Sequence, residues 1–311
     1  MSRIHEALKK AEQERAAVQA AGVMPLPQGV NVVAPPNAIS TAAAAAVAPR
    51  SFGVPPAPED HLRFDDLRKR CSHPHWNVDP NVNVFLDTSP FGHGAEQFRT
   101  LRSRLYQLRN NQTLRSLLVT SSIPGEGKTF VANNLAQAIV RQPDRRVLLL
   151  DADLRCSRLH VPLGAPSTPG LSDYLRGEAD EIAVIQHGQE GNLCFIPGGN
   201  EVTNPSELLS NGRLKTLLDR VGPVFDWVIL DSPPCLPVAD AGLLAELCDG
   251  ILMVVRSGLT PSATAQRAAQ ELQGKGVLGV VLNAVDEPHA YGSYYYKGYG
   301  YGHRENAAVG R

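Results

Sequence analysis

Short, continuous apolar runs recur through the last two-thirds of the chain, and they constrain its fold more than any other feature. The runs are residues 116–120, 147–151, 193–197, 227–231, 251–255 and 277–283. Runs without polar alternation are typical of strands buried on both faces, and the segments of helical periodicity between them supply right-handed crossovers. The sequence therefore predicts an α/β fold with a doubly wound, mostly parallel sheet, whose ligands bind beyond the carboxyl ends of the strands.

The remaining segments differ from this region in composition. Residues 1–18 predict a helix with one weak apolar stripe, and residues 19–58 are an Ala/Pro-rich, almost uncharged sequence expected to act as a flexible linker. Residues 59–92 carry a basic run among acids and aromatics, and we interpret them as a solvated connecting segment. We therefore assign the α/β domain to residues 93–288 and a flexible, Tyr-rich tail to residues 289–311.

Composition narrows the cellular setting and the partners. The net charge of -1 over 311 residues shows no bias toward nucleic acid, and five widely spaced cysteines indicate a reducing compartment. The longest apolar stretch, residues 42–49, is too short to span a bilayer, and the N-terminus carries charges where a signal peptide is apolar. We expect a cytoplasmic protein with no nucleic-acid partner and no membrane span of its own, so that any membrane association comes through a partner.

A glycine-rich sequence, SSIPGEGKT (residues 121–129), links the first apolar run to a segment of helical periodicity. This is a phosphate loop in its required context, with a strand before it and a helix after it. Gly125 and Gly127 let backbone N–H groups turn toward phosphates, Lys128 neutralises phosphate charge, and the Thr129 hydroxyl ligates Mg²⁺. The alternative, a glycine turn that caps a helix, leaves the Gly-Lys-Thr triplet unexplained. The residues expected around ATP are Ser122, which replaces the usual first glycine, Pro124, Gly125, Glu126, Gly127, Lys128, Thr129 and Phe130.

Three aspartates end two of the other apolar runs. Asp151 and Asp153 close the second run, and Asp231 closes the fourth. Because the carboxyl ends of parallel strands meet at one edge, these acids should converge on the phosphate loop as a Mg²⁺ site with a candidate base. The alternative is that they cap the helices that follow.

These motifs together resemble the bacterial tyrosine kinases of capsule and exopolysaccharide biosynthesis. The resemblance rests on SSIPGEGKT, LLLDADLR and VILDSPPCLPVADA in this order, and it runs from about residue 96 to the tail. It implies a phosphate-loop NTPase of the deviant Walker A type shared with partition ATPases, using ATP and Mg²⁺. The roles it implies are Lys128 on the phosphates, Thr129, Asp153 and Asp231 at the metal, and Asp151 near the incoming tyrosine hydroxyl.

The role of Asp151 has a physical rationale. A tyrosine hydroxyl with a pKa of about 10 is a poor nucleophile at neutral pH and gains from a carboxylate that accepts its proton. A carboxylate beside Mg²⁺ is itself acidic, so orientation of the hydroxyl is an alternative role. Arg155 and Asn283 are further candidate nucleotide contacts, Asn283 being either a partner for the adenine edge or a turn-forming Asn.

The tail concentrates tyrosine. Six of the eight tyrosines fall within eleven residues, namely Tyr291, Tyr294, Tyr295, Tyr296, Tyr299 and Tyr301. Tethering raises the local concentration of such a segment to roughly the millimolar range. The alternative is an aromatic patch for stacking or for a partner. In the resembled family such a cluster is the autophosphorylation site, usually presented to a neighbouring subunit.

Glu96, Arg99 and Arg102 match that family's E-x-x-R-x-x-R helix, which mediates assembly into rings. On a helix Glu96 and Arg99 share a face, so an ordinary intrahelical ion pair is the alternative. The resemblance further implies a separate membrane activator, a polysaccharide chain-length protein, that recruits the kinase to the inner face of the plasma membrane.

Two other functions compete with a kinase. A dimerising ATPase of the partition or cell-division type needs a signature lysine early in the phosphate loop, and Ile123 holds that place here. A nucleotide-regulated scaffold without transfer activity is the other alternative, although all the chemical groups expected of a kinase are present.

Overall fold

A single seven-stranded sheet organises the computed structural model, which describes residues 62–86, 93–189 and 191–285. The strands are β1 (Ser116–Ser121), β2 (Arg146–Asp151), β3 (Gln186–His187), β4 (Asn192–Ile196), β5 (Trp227–Asp231), β6 (Gly250–Arg256) and β7 (Val277–Asn283). Their order is β3-β4-β2-β5-β1-β6-β7, and every neighbouring pair is parallel except β3 and β4. The predicted doubly wound, mostly parallel sheet is confirmed.

Helices cover both faces of this sheet. They are α1 (Phe64–Arg70), α2 (His93–Arg109), α3 (Lys128–Val140), α4 (His160–Leu163), α5 (Leu171–Arg176), α6 (Pro205–Leu209), α7 (Arg213–Val221), α8 (Asp240–Ala245) and α9 (Ser262–Glu271), with a 3₁₀ turn at Gly222–Val224. Helices α2 to α4 contribute to one apolar core and the other helices to a second. Helix α3 is buried from residue 131 to its end, so the helix that follows the phosphate loop is held by packing along its length.

The strand register brings the chemically important ends together. Asp151, at the end of β2, lies directly opposite Asp231 at the end of β5. Asp231 in turn pairs with Val119 of β1, which leads into the phosphate loop. The carboxyl ends of three adjacent strands therefore form one edge, as predicted for a site of this fold.

Two strands differ from the predictions. Strand β3 has only two residues, both polar, and carries no apolar run that could announce it. Strand β7 was predicted to be covered on both faces, but Val280 and Leu282 are 56% and 57% exposed. That prediction was wrong because β7 is an edge strand, paired with β6 alone among the described residues, and a continuous apolar run does not distinguish an edge from an interior strand.

The structure also corrects the prediction that residues 59–92 form a solvated connecting segment. Phe64 and Leu67 are buried, and their spacing of three places them on one face of α1, while Cys71, directly after the helix, is buried as well. The basic run at residues 68–70 is exposed on the opposite side. The many charged residues of this segment concealed the short amphipathic pattern of α1.

Residues 71–86, here called the strap, continue across the domain. Ser72 forms a parallel bridge with Gln186 of β3, and Trp76 packs edge-on against Phe195 of β4. Farther along, the Asn134 side chain of α3 bonds the backbone of residues 82 and 84. The domain therefore begins by residue 62 and not at residue 93.

Several predictions fall outside the described residues. These are the N-terminal helix, the linker, residues 59–61 and 87–92, and the tail from residue 286 onward. Among the helices that are described, none combines the length and apolarity needed to cross a bilayer.

Candidate functional site

The phosphate loop connects β1 to α3 with the backbone geometry that anion binding requires. Gly125 and Gly127 have φ values of +84° and +91°, in the left-handed region that favours glycine. Helix α3 begins directly after Gly127, with no acidic residue in its first turn and no side-chain cap. Its N-terminal N–H groups and positive dipole end are therefore free of a competing carboxylate and suit a phosphate.

The predicted lysine, threonine and two of the aspartates form one connected set. Lys128 Nζ lies 2.9 Å from Asp153 Oδ2 and 3.4 Å from Thr129 Oγ1. Thr129 donates its hydroxyl to Asp231 Oδ2 at 2.6 Å. Residues from the phosphate loop and from two other strand ends thus meet in one place, as the sequence predicted.

Asp151 lies beside this set but is largely occupied by its own loop. Its Oδ2 accepts hydrogen bonds from Ser157 Oγ at 2.7 Å and from the backbone N–H of Leu159 at 3.0 Å, and its Oδ1 accepts one from the N–H of Asp153 at 3.2 Å. A carboxylate offers about four acceptor positions, so one remains. Asp151 therefore shapes the loop after β2, and its assignment as a base stays a prediction.

Burial and charge shift the pKa values of the site in a consistent direction. Burial, together with the charges of Asp151 and Asp153, raises the pKa of Asp231 to about 7 despite the opposing charge of Lys128. Burial also raises the pKa of Asp151 to about 6. Burial favours the neutral amine of Lys128, yet the three carboxylates outweigh it and raise its pKa. Three acids against one lysine leave excess negative charge, which a divalent cation would relieve.

Two orphaned atoms fit a bound Mg·nucleotide. Ser122 Oγ and Asp231 Oδ1 are buried with no hydrogen-bond partner in the described ranges. In the same described ranges, no group of three His, Cys, Asp or Glu side chains could hold a metal ion without further ligands. Magnesium commonly binds through one or two carboxylates, with phosphates and waters completing its shell. The residues therefore fit a magnesium held by Thr129 and Asp231 with Asp153 nearby, and phosphates on Lys128 and the loop.

Glu126 is turned away from the space where phosphates would bind. Its buried carboxylate accepts hydrogen bonds from the N–H of Ile123 at 2.8 Å and from the hydroxyl of Thr260, which follows β6. Arg256 adds a bond from its guanidinium to the carbonyl of Gly125 at 3.2 Å. Only the backbone of Glu126 is left for the predicted nucleotide contact, and its side chain instead ties the loop to the end of β6.

Asn283 holds the same loop from the end of β7. Its amide nitrogen donates to the carbonyl of Glu126 at 2.9 Å. Glycine is required at position 127 by its φ of +91°, and a Cβ there would lie 2.1 Å from that nitrogen and displace the Asn283 amide. The structure thus gives Asn283 a loop-positioning role, and its contact with an adenine edge stays a prediction.

Arg155 is committed to a different partner from the one predicted. Its guanidinium forms two bonds to the fully buried carboxylate of Asp240, at 2.7 and 3.0 Å, and a third to Ser206 Oγ at 2.8 Å. Burial alone would raise the pKa of Asp240, but the bonds from Arg155 and Ser206 lower it. A buried acid requires such a partner, so Arg155 neutralises Asp240, and its contact with the nucleotide stays a prediction.

Two further residues predicted to contact ATP, Pro124 and Phe130, lie in different surroundings. Pro124 is exposed on the loop, and the ring of Phe130 packs edge-on against Phe98 of α2 at 5.9 Å. The functional residues that sequence reasoning missed, Ser157, Thr260 and Asp240, are linked to the site by side-chain contacts that no local motif announces. Of these residues, only Asp240 lies within one of the three motifs named above, VILDSPPCLPVADA.

The predicted assembly motif lies on α2. Glu96 and Arg99 form an exposed intrahelical ion pair of 3.0 Å, which confirms that they share a face. Arg102 instead donates to the carbonyl of Ala138 at the end of α3, at 2.6 Å. The structure therefore leaves Glu96 and Arg99 available to another subunit and uses Arg102 inside its own domain.

Replacing Glu126 by Ala is expected to weaken binding of Mg·ATP on the order of 10-fold. The change leaves the N–H of Ile123 and the hydroxyl of Thr260 unpaired, each at a cost of about 1–3 kcal/mol, and frees the loop. Glu126→Gln retains one acceptor and should fall between the two, while Glu246→Ala, an exposed site, should match the parent. Titration with a fluorescent ATP analogue measures the affinity. Unchanged affinity with a lowered melting temperature would limit Glu126 to a structural role.

Comparison with known proteins places this geometry in a family. The profile of the "CobQ/CobB/MinD/ParA nucleotide binding domain" matches residues 117–296. Tyrosine-protein kinase YwqD of Bacillus subtilis strain 168 is 34% identical over 216 residues, which cover 68% of this chain and 91% of YwqD. Tyrosine-protein kinase etk of Escherichia coli K12 is 35% identical over 207 residues, covering 66% of this chain but 28% of etk. This chain therefore spans nearly all of the first relative and under a third of the second.

A solved structure agrees with these relatives. The kinase domain of the Escherichia coli tyrosine kinase ETK superposes with a TM-score of 0.64 at 33% identity, covering 70% of this chain and 84% of that domain. The family profile, the identity with YwqD and the superposition on the ETK kinase domain show that the chain belongs to the CobQ/CobB/MinD/ParA nucleotide-binding family and, within it, to the bacterial tyrosine-protein kinases.

Proposed function

We propose that this protein transfers the γ-phosphate of Mg·ATP to tyrosine side chains, beginning with those of its own C-terminal cluster. The observation that carries the proposal is the connected set in which Lys128 contacts Asp153 and Thr129 contacts Asp231, at the N-terminus of α3. A partition-type ATPase shares this fold, but it lacks a use for a tyrosine cluster and requires a lysine where Ile123 stands.

The chemistry follows from the position of each group. The tyrosine oxygen forms a bond to the γ-phosphorus while the bond from phosphorus to the β,γ-bridging oxygen breaks, and ADP leaves with that electron pair. Lys128 and the N–H groups of the loop stabilise the charge on the phosphate oxygens. Thr129 and Asp231 would hold a magnesium ion, which would supply positive charge to neutralise the phosphates.

The proton of the attacking hydroxyl goes to a carboxylate, for which Asp151 is the candidate. Its raised pKa of about 6 is still well below the value of about 10 for tyrosine. Asp151 therefore takes the proton fully only as the new bond to phosphorus forms and makes the tyrosine oxygen less basic. Orientation of the hydroxyl is the larger part of the role of Asp151.

Assembly and recruitment complete the proposal. The exposed pair Glu96 and Arg99 supports contact between subunits, so that one subunit presents its tail to the site of the next. A separate membrane protein of a capsular or exopolysaccharide pathway would hold the kinase at the inner face of the plasma membrane. The resemblance of the motifs to the capsule and exopolysaccharide kinases supports these assignments.

The direct test is to incubate the purified chain with Mg·ATP and to follow it by intact mass and peptide mapping. We expect up to six phosphates, on the tyrosines at positions 291–301. Each adds a charge of roughly -1.5 to -2, so we also expect a lower particle mass by light scattering as tails repel one another. Hydrolysis of ATP without phosphate on the protein would instead favour an ATPase, and phosphate confined to Tyr106 or Tyr174 would refute the tail as substrate.

A further inference from the structure

An apolar groove separates α2 from the edge strand β7. Its volume is about 670 Å³, and its walls include Phe98, Leu101 and Arg104 of α2, Phe130 of α3, and Val280 and Leu282 of β7. Glu96 and Arg99, the exposed ion pair, do not line it. We call this feature the α2–β7 groove. It lies beside the phosphate loop because Phe130 directly follows Thr129.

The groove is unusual because apolar side chains on one of its walls face solvent. Val280, Leu282 and Val285 are 56%, 57% and 49% exposed, and the α2 wall opposite them combines the apolar Phe98 and Leu101 with polar side chains. Contiguous exposed apolar surface is typical of a binding surface, and here it adjoins a strand edge that pairs with no other strand in the described ranges. An occupant is therefore expected.

We propose that the unphosphorylated tyrosine cluster of the same chain binds in the α2–β7 groove. Val285 both lines the groove and is the last described residue, so the described part of the chain ends at this surface, six residues before the first tyrosine of the cluster. Ala284 just before it has a φ of +51°, a left-handed conformation that changes the direction of the chain at the end of β7.

The reach of the chain matches the groove. Tyr291 is six residues beyond Val285, a span of up to about 20 Å. The α2 wall from Gly94 to Arg104 is about 15 Å long, at 1.5 Å per residue. The first tyrosines can therefore lie back along α2 without help from a second subunit, and the covalent link keeps their effective concentration in the millimolar range.

The chemistry of the groove also matches tyrosine. Phe98 and Phe130 already pack edge-on in its wall, and a further ring extends that arrangement. Arg104 supplies a cation for an aromatic face, and the open side of the groove leaves a phenol hydroxyl in water. A phosphate on the ring would bring roughly -1.5 to -2 charges beside Phe98, Phe130 and the valines, and Arg104, the one cation among the described lining residues, offsets only part of that charge, so the groove favours the unmodified tail. This last point alone rests on the proposed function.

Site-specific photo-crosslinking tests the proposal on the full chain. The photoreactive residue p-benzoylphenylalanine is placed at Leu101, in the groove, and for comparison at Val161, an exposed residue of α4 outside the groove. The protein is treated with phosphatase, its unmodified state is verified by intact mass, and no ATP is added. We expect an intrachain crosslink from position 101 to a peptide within residues 286–304, at least about fivefold stronger than from position 161.

Three other results would overturn the proposal. The first is that position 101 forms no crosslink to the tail, and the second is that it crosslinks to another part of the chain. The third is a crosslink to a second copy, recognised as a dimer in a mixture of isotopically labelled and unlabelled chains. A second variant, Leu282→Asp in the groove, should reduce the crosslink from position 101 at least about fivefold, and Val161→Asp should not. Because no phosphate transfer is involved, failure of the kinase assay would leave this test interpretable.

Discussion

Replacing Lys128 by Met is expected to reduce tyrosine phosphorylation by about 100- to 1,000-fold, the usual cost of losing a group that stabilises charge in the transition state. Lys128 is partly buried and contacts both Asp153 and Thr129. The surrounding carboxylates raise its pKa, so it carries its charge at neutral pH. The measurement is the initial rate of phosphate incorporation into the tail, followed by mass spectrometry at saturating Mg·ATP.

The matched control is Lys215→Met. Lys215 is exposed on α7 and pairs with Asp219 at the surface, an interaction worth about 0–1 kcal/mol. Its rate and melting temperature should equal those of the parent. Parent-like phosphorylation by Lys128→Met, with the protein folded, would remove the phosphate loop from the mechanism.

Replacing Asp231 by Asn is expected to have opposite effects on stability and on nucleotide binding. The metal-free protein should melt a few degrees higher, at about 2–4 °C per kcal/mol gained in a domain of this size. Affinity for Mg·ATP should fall at least about 10-fold, because a buried carboxylate that the metal needs is gone. The amide oxygen can still accept the bond from Thr129, so the local structure is retained.

The expected stabilisation depends on pH, and its sign follows from the raised pKa of Asp231. Burial first, and then the neighbouring acids, shift that pKa from 3.8 to about 7 in the folded protein. The folded state therefore binds a proton more tightly than the unfolded state, and this contribution to stability is present below about pH 4 and lost as the pH rises to about 7. The advantage of Asp231→Asn should consequently be greatest above pH 7 and vanish toward pH 4.

Thermal unfolding in the presence of a chelator, across this pH range, measures the effect. Asp219→Asn, an exposed acid on α7, is the control and should show no pH-dependent difference from the parent. A lower melting temperature for Asp231→Asn at neutral pH would mean that its attraction to Lys128 outweighs burial and the repulsion of Asp151 and Asp153.

The sequence was a good guide wherever chemistry and periodicity are local. The phosphate loop combines a strand, two glycines and Lys128 within a dozen residues, so its geometry could be predicted. The meeting of Asp153 and Asp231 followed from one rule, that parallel strands end at the same edge. For the same reason six of the seven strands were found from their apolar runs.

What the sequence did not predict depends on contacts between distant segments. Glu126 and Arg155 were predicted only as nucleotide contacts, and the sequence did not show that the Glu126 carboxylate bonds Thr260 or that Arg155 pairs with Asp240. Both partners are more than eighty residues away in the chain, and motif spacing carries no information about them. The exposure of Val280 likewise depends on the position of β7 at the edge of the sheet.

The strap belongs to the smallest part of this chain that we expect to fold well. It closes the β3 end of the sheet through Ser72, fills space beside Phe195 with Trp76, and bonds Asn134 of α3. A shortened protein that starts at the first kinase motif, near residue 93, would keep every catalytic group and yet uncover that edge and loosen the helix behind Thr129. Low solubility and weak ATP binding of such a fragment would then reflect where it was cut, and not a defect in its chemistry.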